Sequence, residues 1–455
     1  MRNWTIGLAA VIVFLAGSLV YGFCQHNVDF CQGAMIFFTL YGVFLVLGAI
    51  FFSHRRIMKN YFYRPFVSIL IPARNEECVI EATVRSLCAL KYRKNNRPHF
   101  EIIVLDDNST DNTCAILCSL EKEIDNLRVV RREPPRAGNG KSDVLNEGIS
   151  HATGEVIAVF DADSRVHPDF LKNAVAYLYD PKVGGVQGRV QIYNAAGSRL
   201  AAIQSDEFSI FNHLSQITKD IIGGVTALGG NGQLTKKTAL EAVGGWNIFS
   251  TTEDFDLTMR FLLKGWKVRY APDAVLWQEG VENLWFLLRQ RIRWAEGFLK
   301  CFFDYTLPLL LSRVSLVQKT DGLLSLVRVI LPLWILVGYI FGVGAFLGVT
   351  DFYSEIHPLI MIGISLLLFG SMWLAIRNES RDAFWAMQAR VLYYWFYNLI
   401  WVAAVSGALF RCLKNVNRVE WDKTIHKGSR EHPVIITSAP QRLPVSDLQE
   451  QLTKI

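Results

Sequence analysis

Acidic side chains recur in this chain at the ends of short apolar runs. Asp106-Asp107-Asn108-Ser109-Thr110-Asp111 follows one such run, Asp161-Ala162-Asp163 follows another, and Pro72-Ala73-Arg74-Asn75-Glu76 follows a third. One aspartate in such a place is explained as a helix cap, and Asp111 or Ser109 fits that role. Two acidic pairs on separate strands are harder to explain by capping alone. They suit a metal and a nucleotide, because hard divalent cations take carboxylate oxygens while bridging phosphates. Further along stand Glu253-Asp254-Phe255-Asp256, whose acids suit either proton transfer or the N-terminus of a helix through Leu257 to Leu263.

The elements that must position these groups are legible from their patterning. Val67 to Ile71, Glu101 to Leu105, Leu127 to Val130 and Glu155 to Phe160 are short runs rich in Val and Ile. Helical patterning separates them, as in Glu76 to Leu90 and Asn112 to Glu123. Strands alternating with helices give an α/β fold with a largely parallel sheet and flanking helices. In such a sheet a ligand lies at the carboxyl ends of the strands, which is where the acidic loops fall.

The soluble pattern is bracketed by membrane-like segments. With 51% hydrophobic and 19% charged residues, the chain is too apolar for an ordinary soluble protein. Trp4 to Phe23 and Ala34 to Phe52 lack Lys and Arg and are long enough for a hydrocarbon core of about 30 Å. Leu323 to Thr350, Pro358 to Ile376 and Phe384 to Phe410 repeat the pattern after the soluble part. The expected division is 1–54 for two N-terminal transmembrane helices, 55–283 for the catalytic domain, 284–320 for interfacial amphipathic helices, 321–412 for further transmembrane helices and 413–455 for a tail. A second span follows the first within a few residues and no small-residue cleavage site is evident, so the first is read as a span and not as a signal peptide.

Orientation follows from the basic residues. Gln25 to Gly33 has none, whereas Ser53 to Arg64 has Arg55, Arg56, Lys59 and Arg64, which puts the central domain on the cytoplasmic side. The C-terminal side conflicts: alternating spans would leave the tail outside, yet Arg411, Lys414, Arg418, Lys423 and Lys427 favour the inside. Either Phe384 to Phe410 re-enters or Cys301 to Leu311 inserts more deeply.

The cysteines are scattered, without a CxxC pair or zinc spacing, and Cys114 and Cys118 read as packing one helical turn apart. Cys24 and Cys31 flank the external loop and are a candidate disulfide. The net charge of +6 is spread along the chain and includes the membrane-flanking residues, so it does not point to nucleic acid.

Taken in order, Asp106-Asp107-Asn108-Ser109, Asp161-Ala162-Asp163, Thr252-Glu253-Asp254 and Gln290-Arg291-Ile292-Arg293-Trp294 resemble the membrane-integral family 2 glycosyltransferases, which include cellulose, hyaluronan and poly-N-acetylglucosamine synthases. The likeness covers most of residues 65 to 300 and implies a GT-A-type fold and inverting transfer from a UDP-sugar. It implies that Ala73, Asn75, Glu76 and Asp107 form the uridine wall, that Asp161 and Asp163 hold nucleotide and Mg²⁺ or Mn²⁺, and that Lys141 faces the phosphates. By the same resemblance Asp254 is the general base and Arg293 binds the diphosphate. Gly230, Asn231, Glu253, Gln290 and Trp294 would belong to the acceptor site, and Trp421, Thr424 and His426 to a gating segment. In that segment His426 stands where many relatives have Arg. Lys141 also admits a reading as a solvated loop lysine, and the Leu284 to Leu299 segment a reading as membrane anchoring alone.

Two products fit this framework: a membrane glycolipid, or a β-linked polysaccharide threaded outward through the spans. Gly229-Gly230-Asn231-Gly232-Gln233, Thr252 to Thr258, and Arg293-Trp294-Ala295-Glu296-Gly297 followed by Asp304-Tyr305 look most like the bacterial β-monoglucosyldiacylglycerol synthases. That leans the expectation to glucose on a lipid such as diacylglycerol, with accessory subunits left open. A catalytically inactive receptor for a nucleotide or polymer is the remaining alternative, disfavoured because every acidic position the chemistry needs is present.

Overall fold

The computed structural model describes residues 29–52, 57–348, 356–380, 382–414 and 428. The expected span Trp4 to Phe23, Cys24 of the candidate disulfide and the gating residues Trp421, Thr424 and His426 lie outside them.

Eight strands form one curled sheet: β1 Val67–Ala73, β2 Phe100–Asp107, β3 Leu127–Arg132, β4 Val156–Val159, β5 Arg165–Val166, β6 Val183–Ile192, β7 Gln233–Lys236 and β8 Lys267–Gln278. Their order is β3-β2-β1-β4-β7-β6-β8-β5. The pairs β2/β3, β1/β2, β1/β4 and β6/β8 are parallel, while β7 runs antiparallel between β4 and β6. All residues of β1 and β4 are buried, as expected for strands covered by helices on both faces. One core cluster includes Ile69, Ile71, Val104, Phe160, Phe170 and Leu234; the other face includes Leu70, Ile103, Val144, Leu145, Trp246 and Phe261. The four strands expected from sequence are present, and the flanking helices are Ile80–Cys88 and Thr113–Glu123.

The antiparallel β7 decides where the site forms. Val159 at the carboxyl end of β4 pairs with Gln233 at the start of β7. The loop leaving β4, which carries Asp161 and Asp163, therefore meets the glycine loop that enters β7. Helix Glu253–Leu263 follows, and its first turn carries Glu253, Asp254 and Asp256.

Among the described residues four helical stretches are long and apolar enough to cross a membrane: Gln32–Phe52, Leu316–Gly338, Leu359–Glu379 and Phe384–Cys412. They pack directly on the catalytic unit. Val46 and Ala49 of the first join Ile210, Leu214, Leu287, Ala375 and Tyr394 in one cluster. Gly48 permits the approach, since a Cβ there would lie 2.6 Å from Cγ2 of Thr218.

The segment expected to be interfacial is one continuous helix, Leu284–Leu311. Its Cys301 and Leu309 are buried with Val225, Phe255 and Leu262 of the catalytic unit, so this end is packed against protein. The last apolar segment divides into Phe384–Tyr397 and Ile400–Lys414. Between them the Leu399 amide donates to the Phe396 carbonyl and the Trp401 amide to Asn398, bonds over three residues that tighten the helix locally.

Candidate active site

A cavity of about 540 Å³ opens at the carboxyl ends of the strands and runs on between the membrane-associated helices. Glu76, Lys141, Asp161, Asp163, Gly230, Glu253, Asp254, Gln290, Arg293 and Trp294 all line it. Residues separated by more than 200 positions in the chain are thus brought to one space.

The acids of this cavity are differently engaged. Lys141 opens the helix Lys141–His151, and its Nζ lies 2.8 Å from Oδ1 of Asp161 and 3.3 Å from Oε1 of Glu253. Enclosure opposes the lysine's charge, but Asp161, Glu253 and Asp254 overcome this and hold its pKa above the ordinary value. Asp256 accepts bonds from Arg260 Nε at 2.7 Å, Asn247 Nδ2 at 3.1 Å and Tyr305 Oη at 2.5 Å. Asp254 accepts from the amide of Phe255 at 2.8 Å. Enclosure, reinforced by the charge of Glu253 and opposed by Lys141, pushes its carboxyl up to about 7.

Gly230 makes room for this carboxylate. It adopts a φ of 77°, and a Cβ built on it would sit 3.2 Å from Oδ2 of Asp254 and 3.5 Å from Nζ of Lys141. The glycine loop is held from behind by Gln187, whose Oε1 accepts from the Gly229 amide at 2.8 Å and whose Nε2 donates to the Asn231 carbonyl at 2.8 Å.

Four of the sequence-selected residues, Asn231, Asp107, Ala73 and Asn75, are not part of the cavity lining. The buried Asn231 accepts on Oδ1 from Ser164 Oγ at 2.8 Å and from the Asp161 amide at 3.2 Å, and donates to Gln278 at 3.0 Å. It ties the loop after β4 to the glycine loop. Asp107 is fully buried and takes a bond of 2.6 Å from Arg132, while the Gly138 amide donates to both its oxygens. Burial pushes its carboxyl up against the lowering pull of Gly138 and Arg132. Ala73 is buried at the end of β1. Asn75 is exposed beside it, and its Oδ1 accepts from the Thr110 amide at 2.7 Å. Asp111 accepts from the Thr113 amide at 3.0 Å, while the residue at the N-cap of helix Thr113–Glu123 is Asn112, without a capping bond from its own side chain.

Asp163 accepts on Oδ2 from the Glu279 amide at 2.9 Å, which sets its carboxylate against the end of β8. Gln278 and Glu279, which the motifs do not select, line the cavity as well; they follow the apolar run Ala274 to Trp277 as Asp161 follows β4. Arg132, at the end of β3, carried the same signal. It is fully enclosed by Asp107, Asp143 and Glu147.

The Leu284–Leu311 helix brings the last group. Arg293 faces the cavity with its Nε buried and without a hydrogen bond among the described residues. The lining also carries aliphatic side chains from the membrane-associated helices, Val329, Leu331, Pro332, Ile335 and Val405, interspersed with the polar Ser325, Arg328 and Asn398.

This fold and this arrangement of carboxylates define a nucleotide-sugar type of transferase, and the comparisons with known proteins agree. Residues 64–297 match the family described as glycosyltransferase like family 2. A β-monoglucosyldiacylglycerol synthase of Trichormus variabilis is 33% identical over 393 residues, 85% of this chain and 82% of the relative. A poly-β-1,6-N-acetyl-D-glucosamine synthase of Staphylococcus aureus is 30% identical over 277 residues, 58% of this chain and 64% of the relative. Among solved structures, a mannosyltransferase from Pyrobaculum calidifontis in complex with GDP-Man and Mn²⁺ superposes with a TM-score of 0.54 at 19% identity, covering 86% of this chain and 97% of that one. That likeness speaks to the fold. The chain belongs to the family 2 glycosyltransferases, and its apolar helices make it a membrane protein.

Proposed function

We propose that the chain transfers glucose from UDP-glucose to the hydroxyl of a diacylglycerol-type lipid, with inversion at the anomeric carbon, on the cytoplasmic face of a bilayer. The observation that carries this reading is the continuity of one cavity from Asp161, Asp163 and Asp254 to the aliphatic wall of Val329, Pro332, Ile335 and Val405. A polar donor and an apolar acceptor can meet in such a space. The identity with a β-monoglucosyldiacylglycerol synthase over most of both chains supports the same acceptor.

Among the described residues no three His, Cys, Asp or Glu side chains gather to hold an ion by themselves. Asp161 and Asp163 nevertheless fit Mg²⁺ or Mn²⁺, because such an ion is commonly held by one or two carboxylates together with substrate phosphates. The ion would neutralise charge building on the departing diphosphate. Arg293, with its unbonded Nε, and Lys141 complement the same charge from the protein side. Ala73, Asn75, Glu76 and Asp107 are assigned to the base-binding end, Asp107 acting through Arg132 and Gly138. Gly230, Glu253, Gln290 and Trp294 are assigned to the acceptor side, with Asn231 holding the loop.

Asp254 is the general base. Glu253 is engaged by Lys141 and Asp256 by Arg260 and Tyr305, which leaves Asp254 to accept the proton of the acceptor hydroxyl. A carboxyl near pH 7 is well matched to that task.

The test is to incubate the purified protein with radiolabelled UDP-glucose or UDP-N-acetylglucosamine, Mg²⁺ and diacylglycerol and to partition the products. Label in the organic phase supports glycolipid synthesis. Label confined to a high-molecular-weight aqueous product that a glucanase or chitinase digests would replace it with polysaccharide synthesis.

A further inference from the structure

The cavity has a second indole, Trp401, on a helix that the catalytic motifs do not include. Trp401 and Trp294 both line the cavity and both are partly exposed. They come from different helices, and one buried ion pair sets them both. Arg291 Nη2 lies 2.5 Å from Oε2 of Glu207, within a pair that is almost wholly enclosed. The guanidinium is stacked over the Trp294 ring at 4.1 Å and over the Trp401 ring at 5.7 Å. The other carboxylate oxygen, Oε1 of Glu207, accepts from Trp401 Nε1 at 3.1 Å. Tyr397 completes the cluster: its hydroxyl donates to Oε2 of Glu207 at 2.8 Å and accepts from Arg291 at 3.0 Å.

This arrangement is costly to assemble, since both charges leave water and repay the loss only through well-made bonds. Glu207 also immediately precedes the π-helical turn Phe208–Leu214, and Trp401 closes a tightened turn through its amide bond to the Asn398 carbonyl. Irregular helical turns of both kinds are frequent where side chains must be aimed at a functional site. The indole NH of Trp401 is satisfied by Glu207, which leaves the ring itself as apolar surface for a ligand.

We infer that Trp401 is an acceptor-contacting residue, that it forms with Trp294 a paired aromatic wall for the glycerol and proximal acyl segment of the lipid, and that Glu207 and Arg291 are positioning residues for both rings. The neighbouring side chains suit the junction of a polar glycerol and an acyl chain, because the aliphatic Val329, Leu331, Pro332 and Val405 line the cavity together with the polar Ser325, Arg328 and Asn398. The inference rests on the lipid reading of the preceding section and deepens it.

Two properties separate this role from mere packing. Removing an acceptor wall raises the apparent KM for the lipid while leaving the KM for UDP-glucose in place; a structural lesion lowers both functions together. The wild-type enzyme is first shown to put label from UDP-glucose into a lipid product, and a wild type that makes only polymer overturns the lipid reading and this inference together. With glycolipid formation established, Trp401→Ala, Trp401→Phe and Glu207→Gln are compared in mixed micelles with diacylglycerol. Trp401→Ala is expected to raise the lipid KM about tenfold, equivalent to one aromatic contact. Trp401→Phe, which retains a ring but lacks the bond to Glu207, should fall between that variant and the wild type, and Glu207→Gln should raise the lipid KM with UDP-glucose KM unchanged. Equal lipid KM values in wild type and Trp401→Phe and Trp401→Ala would overturn the inference while leaving glycolipid synthesis intact. Should Trp401→Ala not fold, an unaltered lipid KM in both Trp401→Phe and Glu207→Gln would overturn it equally.

Discussion

Lys141 and Asp161 form an ion pair of 2.8 Å at the carboxyl end of β4, with the lysine at the start of the helix Lys141–His151 and the aspartate in the loop between β4 and β5. On the proposed function, a diphosphate bound beside Asp161 would compete with this aspartate for the lysine's charge. Lys141→Met is expected to weaken UDP-glucose binding and to lower kcat/KM by roughly 100-fold, as for other removed groups that stabilise transition-state charge. Steady-state kinetics over a range of UDP-glucose checks this. An unchanged kcat/KM would return Lys141 to the role of a solvated loop lysine.

With Asp254 as the proposed base, its carboxyl sets the expected pH dependence. Its carboxyl is pushed up to about 7, and a general base works only when deprotonated. The rate should therefore rise with pH below about 7 and level off above it. Asp254→Asn should abolish transfer and leave UDP binding nearly intact. Stability carries the opposite sign. Because the folded-state pKa is raised above its usual value of 3.8, the group favours folding below that value, and this contribution is lost as pH rises through about 7. Thermal unfolding of wild type against Asp254→Asn should show the wild type losing ground over that window. Turnover by Asp254→Asn at the wild-type rate would remove the base assignment.

Gly230 tests the same carboxylate sterically. A methyl group at 3.2 Å from Oδ2 of Asp254, on a residue with φ of 77°, both crowds the base and strains the backbone. Gly230→Ala is expected to lower kcat by about tenfold or more, with a loss of stability of about 1–3 kcal/mol. Equal kcat in the two proteins, measured at saturating substrates, would show that the loop yields without moving Asp254.

How much of this could be read in advance depended on sequence distance. The strands and the loops after β1, β2 and β4 were legible because Val- and Ile-rich runs end directly in turn and acidic residues. The choice among Glu253, Asp254 and Asp256 was not settled by local pattern, since all three acids lie in one helical turn. It needed partners supplied from afar: Lys141 for Glu253, and Tyr305 as well as Arg260 for Asp256. Asn231 looked like a wall of the acceptor site, yet its side chain is spent on Asp161, Ser164 and Gln278. The roles of Arg132 and Trp401 were hidden for the same reason, since neither residue forms a motif with its chain neighbours.

The conflict over the C-terminus also has a physical answer in these contacts. Glu379, at the end of one apolar helix, pairs with Arg189 of β6, and Arg390 pairs with Asp206. Within the apolar stretch Phe384–Cys412, the first helix, Phe384–Tyr397, has 14 residues and by itself is about 21 Å long, less than a core of about 30 Å. Val405 and Ala408 then pack on Ala295 and Leu299 of the Leu284–Leu311 helix. We therefore expect the last apolar segment to lie against the catalytic unit and the tail to share its side of the membrane. An epitope at the C-terminus of inverted and right-side-out vesicles should be digested by external protease together with the catalytic domain; digestion on opposite sides would restore a full crossing.

The central claim, single-displacement transfer of one sugar to a lipid, is tested most directly by the mass and anomeric configuration of the product formed from UDP-glucose and diacylglycerol. The proposed chemistry gives a lipid bearing one hexose in β linkage. An α-linked hexose would contradict inversion with Asp254 as base, and a polymer without glycolipid would contradict the lipid acceptor.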